Sequence, residues 1–166
     1  MTSTDIRAFV SYTHDSKDHR ARALNLAQKL RENGIICQID QFVPAPAEGW
    51  PRWMHAQIDT ADFVLIVCST TYMRRFEGNE AAPEGHGADW EGMRVMQELY
   101  ERKSINDKFI PILFEGSSPD DIPKALRPYT YHRWPKGHED LYRQLTRQPC
   151  ISPAPLGKPM DLPLDP

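Results

Sequence analysis

The stretch Gly87-Ala88-Asp89-Trp90-Glu91-Gly92 delivers a charged side chain from a loop to the start of a helix. A polar segment containing Gly and Pro runs from Glu77 to Gly87. Beyond it Trp90, Met93, Val95/Met96 and Leu99/Tyr100 recur at helical spacing. Asp89 fits the N-cap, and Glu91 then falls in the first turn, where free N–H groups and the helix dipole favour an ionised carboxylate. Two readings stay open at this point. Glu91 is either an anion serving a ligand or first-turn charge decoration. Other reactive residue types lack a productive spacing. Ser11 and Ser69 sit in no GxSxG elbow, so the six histidines do not complete a hydrolase triad. His86, Asp89 and Glu91 match no standard zinc set, and His138-Glu139-Asp140 reads as a solvated helix start. No GxGxxG follows the first strand and there is no P-loop, which excludes dinucleotide and phosphate cradles of those kinds.

The elements that must position these residues follow in order. Ile6 to Tyr12 reads as a strand, Thr13-His14-Asp15-Ser16 as a loop, and Lys17 to Glu32 as a helix stopped by Gly34. Ile35 to Asp40 is the second strand, parallel to the first through a right-handed crossover. Gln41 to Pro51 holds three prolines and a glycine, which exclude regular structure, and carries Phe42 and Trp50. That loop is either structural packing or a mobile contact surface. A helix spans Arg52 to Thr60, with Pro51 in its first turn. Ala61 to Ser69 is nearly all apolar, as a strand buried on both faces is. Thr70 to Phe76 is a short helix, and the Trp90 helix runs to about Lys103. Lys108 to Phe114 is the fourth strand, and its Pro111 points to an edge or a bulge. Ile122 to Leu126 is a helical turn, Thr130 to Trp134 a fifth strand, and His138 to Thr146 a last helix. Six prolines after Gln148 keep the tail extended. The domain is therefore 1–147 and the tail or linker 148–166.

Strands alternating with helices predict an α/β fold with a central parallel five-stranded sheet and helices on both faces. Ligands of such sheets bind beyond the carboxyl ends of the strands. Here those ends are Ser11-Tyr12-Thr13, Asp40-Gln41 and Ser69-Thr70. A chain of 166 residues fits one domain that buries roughly 70% of its unfolded surface without staples. Net charge is -3 with acids and bases interspersed, so no footprint for nucleic acid exists. No apolar run approaches the roughly 20 residues of a membrane span. The opening Met1-Thr2-Ser3-Thr4-Asp5 lacks the features of a signal peptide, which predicts a cytoplasmic protein. Cys37 and Cys68 read as buried thiols, not as disulfides or metal ligands.

Phe9-Val10-Ser11-Tyr12-Thr13-His14-Asp15-Ser16 resembles the opening of TIR-like domains of the SEFIR branch. Cys37-Gln38-Ile39-Asp40-Gln41 is similar to the second strand of that family, and Glu48 to Met54 to its loop-to-helix stretch. Ala61 to Ser69, Tyr72 to Gly78, Trp90-Glu91-Gly92 and Lys108-Phe109-Ile110-Pro111 fit as well. So does Tyr142 to Pro149, which is similar to the end of bacterial members that precede other modules. The resemblance implies a flavodoxin-like fold that associates with copies of itself. It also implies either cleavage of NAD+ at the nicotinamide–ribose bond, within bacterial immune signalling, or a purely adaptor role. NAD+ enters as substrate, with no cofactor or metal. A fused or partner sensor domain is implied, with neither nucleic acid nor membrane. The family's catalytic glutamate follows a Trp by a few residues. In this chain the fourth position after Trp90 is Arg94, so the candidates are Glu91 and Glu98. Glu91 is favoured because a helix start lies nearer the ligand crevice, whereas Glu98 reads as a surface partner of Arg102. Ser11 and Asp40 are expected as polar contacts. Tyr12, Phe42, Trp50, Trp53 and Trp90 are expected as aromatic ones, against the alternative of core or loop packing for each.

Overall fold

The chain alternates β-branched or aromatic runs with amphipathic ones, and the computed structural model folds them accordingly. It describes residues 5–77, 98, 101 and 105–166. The elements are β1 (Arg7–Ser11), α1 (Lys17–Glu32), β2 (Ile36–Gln38), α2 (Trp50–Thr60), β3 (Phe63–Cys68), α3 (Thr70–Phe76), β4 (Phe109–Phe114), β5 (His132–Trp134) and α4 (His138–Thr146). Single 3-10 turns occupy Asp40–Phe42, Pro119–Asp121 and Lys124–Leu126. The five strands form one parallel sheet in the order β2-β1-β3-β4-β5. Residues 98 and 101 are helical. The rest of the expected Trp90 helix, with Asp89, Trp90 and Glu91, lies outside the described residues, as does His86.

Alternation along the central strands divides the core in two. Ala8, Val10, Leu65, Val67, Ile110 and Ile112 face α1 and α4, meeting Leu26, Leu30, Leu141 and Leu145. Phe9, Val64, Ile66, Cys68 and Leu113 face the other way, meeting Trp53 and Ile58 of α2 and Tyr72 and Phe76 of α3. Both faces of the middle strands are thus apolar, the pattern of a parallel sheet covered on both sides. α1 begins where Ser16 accepts from the His19 backbone N–H at 3.0 Å and ends before Gly34, whose φ of +88° suits only glycine. Cys37 and Cys68 are buried free thiols, each pushed up to about 12 by burial.

Pro111 corrects one expectation. β4 is an interior strand, paired with β3 on one side and β5 on the other, and is not an edge. The Val64 N–H bonds the Lys108 carbonyl, so residues 108, 110 and 112 turn their backbone groups toward β3. Residues 109 and 111 turn theirs toward β5, whose pairing starts only at Ile112–His132. The missing N–H of proline therefore costs no ladder bond. In the same gap, the Asn106 side chain replaces a strand for Phe109. Its Nδ2 donates to the Phe109 carbonyl at 2.7 Å, and its Oδ1 accepts from the Phe109 N–H at 2.8 Å.

A second correction concerns residues 41–51. Prolines do not keep this segment wholly irregular. A 3-10 turn forms at Asp40–Phe42, and α2 already starts at Trp50, with Pro51 inside its first turn and Gly49 at φ +84° as N-cap. Each edge strand has an outward carbonyl engaged by its own flanking segment. The outward carbonyl of Cys37 in β2 accepts from Arg31 at 3.1 Å, and that of Arg133 in β5 accepts from the Gly137 N–H at 2.7 Å. A Cβ on Gly137 would stand 2.6 Å from that carbonyl oxygen, so only glycine makes this turn. Residues 147–166 are exposed.

Candidate functional site at the carboxyl ends of the strands

Strand order reverses direction between β1 and β3, so the ligand crevice of this fold lies beyond the carboxyl ends of β1, β3 and β2. Ser11, Tyr12 and Thr13 leave β1 there, Asp40 follows β2, and Ser69 follows β3 and caps α3. Their polar groups bond to one another. The Ser11 hydroxyl lies 2.7 Å from the Tyr72 hydroxyl, in the interior. Thr13 donates to Asp15 and lies 3.3 Å from the Ser69 hydroxyl. Ser69 in turn accepts from the Tyr72 N–H.

Asp40 is the centre of the more open half. Its Oδ1 accepts from the Tyr12 hydroxyl at 2.7 Å, and its Oδ2 is 2.8 Å from Nε2 of His14. Burial raises its proton affinity, but the hydrogen bonds from His14 and Tyr12 outweigh that and hold the carboxyl below the usual range. Tyr12 moves the opposite way. Burial first, then the hydrogen bond to Asp40 and its charge, raise its phenol above the ordinary value, so it keeps its proton and donates it to Asp40. Gln41 donates to the Tyr12 oxygen at 2.9 Å and to the Arg20 carbonyl at 2.9 Å, fixing the start of the 41–49 segment against α1. His19 lies under this group, its ring 5.4 Å from that of Phe114, and burial lowers its pKa.

The expected contact residues thus divide. Asp40, Tyr12 and Ser11 converge on the rim, although Ser11 is only 1% exposed and engaged with Tyr72. Phe42 packs partly on the core, under the Arg31 guanidinium at 5.9 Å. Trp53 is buried edge-on against Phe9, and Trp50 stands edge-on to Trp53 at 5.5 Å. The packing alternative weighed for these three aromatics is the one their positions take, because α2 begins early enough to draw both indoles onto the sheet. Trp90 and Glu91 lie outside the described residues.

Glu98 corrects a further expectation. It is buried, not on the surface, and lies 3.5 Å from the Lys108 ammonium just before β4 begins. That is the amino end of the sheet, and the six residues of β4 put about 20 Å between it and the rim. Arg102 lies outside the described residues.

His14 and Gln41 are the rim residues that spacing did not single out. His14 stands three residues beyond the end of β1, but the aspartate that holds it is 26 positions away, and no local pattern joins them. Among the described residues no cluster of three or more potential metal ligands exists. Two surface grooves occur elsewhere. One of about 290 Å³ is lined by Ala21, Arg22, Asn25, Glu115, Trp134 and Pro135. Another of about 390 Å³ is lined by Asn33, His138, Glu139, Tyr142, Arg143 and Gln148. None of the expected contact residues lines either. No described helix is long and apolar enough to cross a membrane.

Comparison with known proteins bears on this geometry. The SEFIR domain family model matches residues 6–145. A prokaryotic SEFIR domain of known crystal structure is 23% identical, with a TM-score of 0.65, over 92% of this chain and 100% of that one. A metazoan TIR-STING receptor from C. gigas is 20% identical with a TM-score of 0.59, over 84% of this chain and 40% of that one. The TIR domain of the Toll-related receptor TRR-2 from Hydra magnipapillata is 17% identical with a TM-score of 0.55, over 83% of this chain and 96% of that one. At these identities the likeness is one of fold.

Proposed function

The chain belongs to the SEFIR domain family, and from that membership we propose that it is an NAD+ glycohydrolase, cleaving the nicotinamide–ribose bond when copies associate. The observation that carries the reading is Asp40: an ionised, largely enclosed carboxylate, braced by Tyr12, at the ligand-binding end of a parallel sheet. Nicotinamide leaves a cationic pyridinium as a neutral molecule, so its departure needs no general acid. Positive charge moves to the ribose instead. An anion placed against that charge and against ribose hydroxyls binds the transition state more strongly than the substrate. In this reading Glu91 is the anion facing the ribose. Asp40, Tyr12 and Ser11 border the crevice, and Trp90 is assigned as an aromatic contact of the substrate. The reaction uses no cofactor or metal, because the substrate carries its own leaving group.

The experiment is nicotinamide release from NAD+ at high protein concentration or under crowding, for wild type and Glu91→Ala. A loss of about 10²-fold or more in the variant is expected, the scale on which a single stabilising group acts in such sites. Equal rates would refute the assignment of Glu91.

A second reading is a non-catalytic homotypic module. The engagement of Phe42, Trp50 and Trp53 in packing favours it, since these rings then offer less face to a stacked base. It predicts association of the chain with no nicotinamide release. By analogy with the TIR-STING receptor, whose name joins the two parts, we propose that a sensor, fused or separate, triggers assembly. A cytoplasmic role in immune signalling belongs to the same proposal.

A further inference from the structure

We propose that His14 is the general base for water attack, an assignment that rests on the hydrolase reading above, with Asp40 and Tyr12 as its positioning residues. Nε2 of His14 lies 2.8 Å from an Asp40 oxygen, and the other oxygen of that carboxylate is taken by the Tyr12 hydroxyl at 2.7 Å. The carboxylate accepts, so Nε2 carries the proton and the lone pair of the neutral ring sits on Nδ1. More than half of the side chain, 54%, is exposed at the rim, and Nδ1 has no partner among the described residues. Base, orienting carboxylate and a donor bracing that carboxylate form the arrangement used to direct an imidazole toward a reacting proton. The competing groups are spoken for. The Tyr12 oxygen is engaged by both Asp40 and Gln41, Asp40 has both oxygens occupied, and His19 is enclosed beside Phe114. Asp15, Asp18, Arg20 and Arg22 are the other ionisable groups near the start of α1.

The step balances without any redox partner. After nicotinamide has left, a water oxygen forms its bond to C1′ of the ADP-ribosyl cation. One O–H bond of that water breaks and its proton passes to Nδ1 of His14. Solvent then removes the proton, and the products are nicotinamide, ADP-ribose and one proton.

A pyridine nucleophile attacks the same cation without losing a proton, so it needs no base. This separates the role of His14 from that of the cleavage machinery. Wild type and His14→Gln are incubated with NAD+ and 3-acetylpyridine, and ADP-ribose and the exchanged dinucleotide are both measured. Glutamine retains an amide N–H for Asp40 and keeps the rim tied. Hydrolysis is expected to fall about 10²-fold, the usual worth of a positioned base. Exchange should change by no more than about threefold, because no proton moves in that step. A parallel fall of both products in the variant would mark a structural role and overturn the proposal, as would unchanged hydrolysis. Wild type that exchanges but does not hydrolyse also overturns it. If wild type forms neither product, the glycohydrolase reading fails and takes this assignment with it.

Discussion

Asp40 illustrates how a single carboxylate acquires a fixed state. Its two oxygens meet two donors, one from Tyr12 directly after β1 and one from His14 in the loop beyond it. Hydrogen bonds to an ionised group contribute about 1.5–3 kcal/mol each, more than neutral ones. Since its folded pKa is depressed, the charge contributes stability above the unfolded value near 3.9 and loses it as pH falls through the folded value. Asp40→Asn is therefore expected to destabilise the domain by about 1–3 kcal/mol at pH 7. Urea midpoints measured at pH 7 and near pH 3 check this: the gap between variant and wild type should narrow at the acid end. A gap independent of pH would mean that shape, not charge, is what Asp40 contributes. The sequence reading ended the second strand at this residue, whereas β2 stops at Gln38 and Asp40 opens the 3-10 turn beyond it. That reading gave no sign of His14 as partner, because that contact joins two separate connections across the rim.

At the scale of elements, local signals and long-range ones had different legibility. α1 runs over the span expected, since Ser16 and Gly34 mark its ends with side-chain and backbone chemistry that acts within a few residues. β3 and α3 were legible for similar reasons, an unbroken apolar run and a capping serine. Pro111 misled because its tolerance depends on where β5 begins, which is set by residues 20 positions on. The packing of Trp50 and Trp53 depended on α2 starting at Gly49, a cap made by backbone freedom and not by a side-chain acceptor. Asn106 was not singled out at all, for its role is to imitate a strand that stops short. Asn106→Ala leaves the Phe109 N–H and carbonyl without that partner, in a strand buried throughout. A cost of about 1–3 kcal/mol is expected, read as a lower urea midpoint with unchanged slope. A change below about 0.5 kcal/mol would show that water replaces the amide there.

For the whole molecule, the edge strands and the exposed tail define what is available to other chains. Arg31 and Gly137 occupy the outward carbonyls of Cys37 in β2 and Arg133 in β5, which weakens both edges as templates for strand addition. The tail contributes nothing to the core: Ile151, Leu156, Met160, Leu162 and Leu164 are exposed, and its tie at Pro149 is an exposed bond from Arg143. Prolines at 153, 155, 159 and 163 restrict it to extended conformations even when it touches nothing. Deleting residues 150–166 removes no buried apolar side chain, so unfolding free energy should stay within about 0.5 kcal/mol of the full chain. Urea denaturation of the two forms at one low protein concentration reads this directly. A loss greater than about 1 kcal/mol would mean that the tail's leucines settle on the domain in solution, since burying one such side chain is worth that much or more. The same two samples compared across concentration separate the tail from association: if both forms associate alike, the contact surfaces lie within residues 1–149.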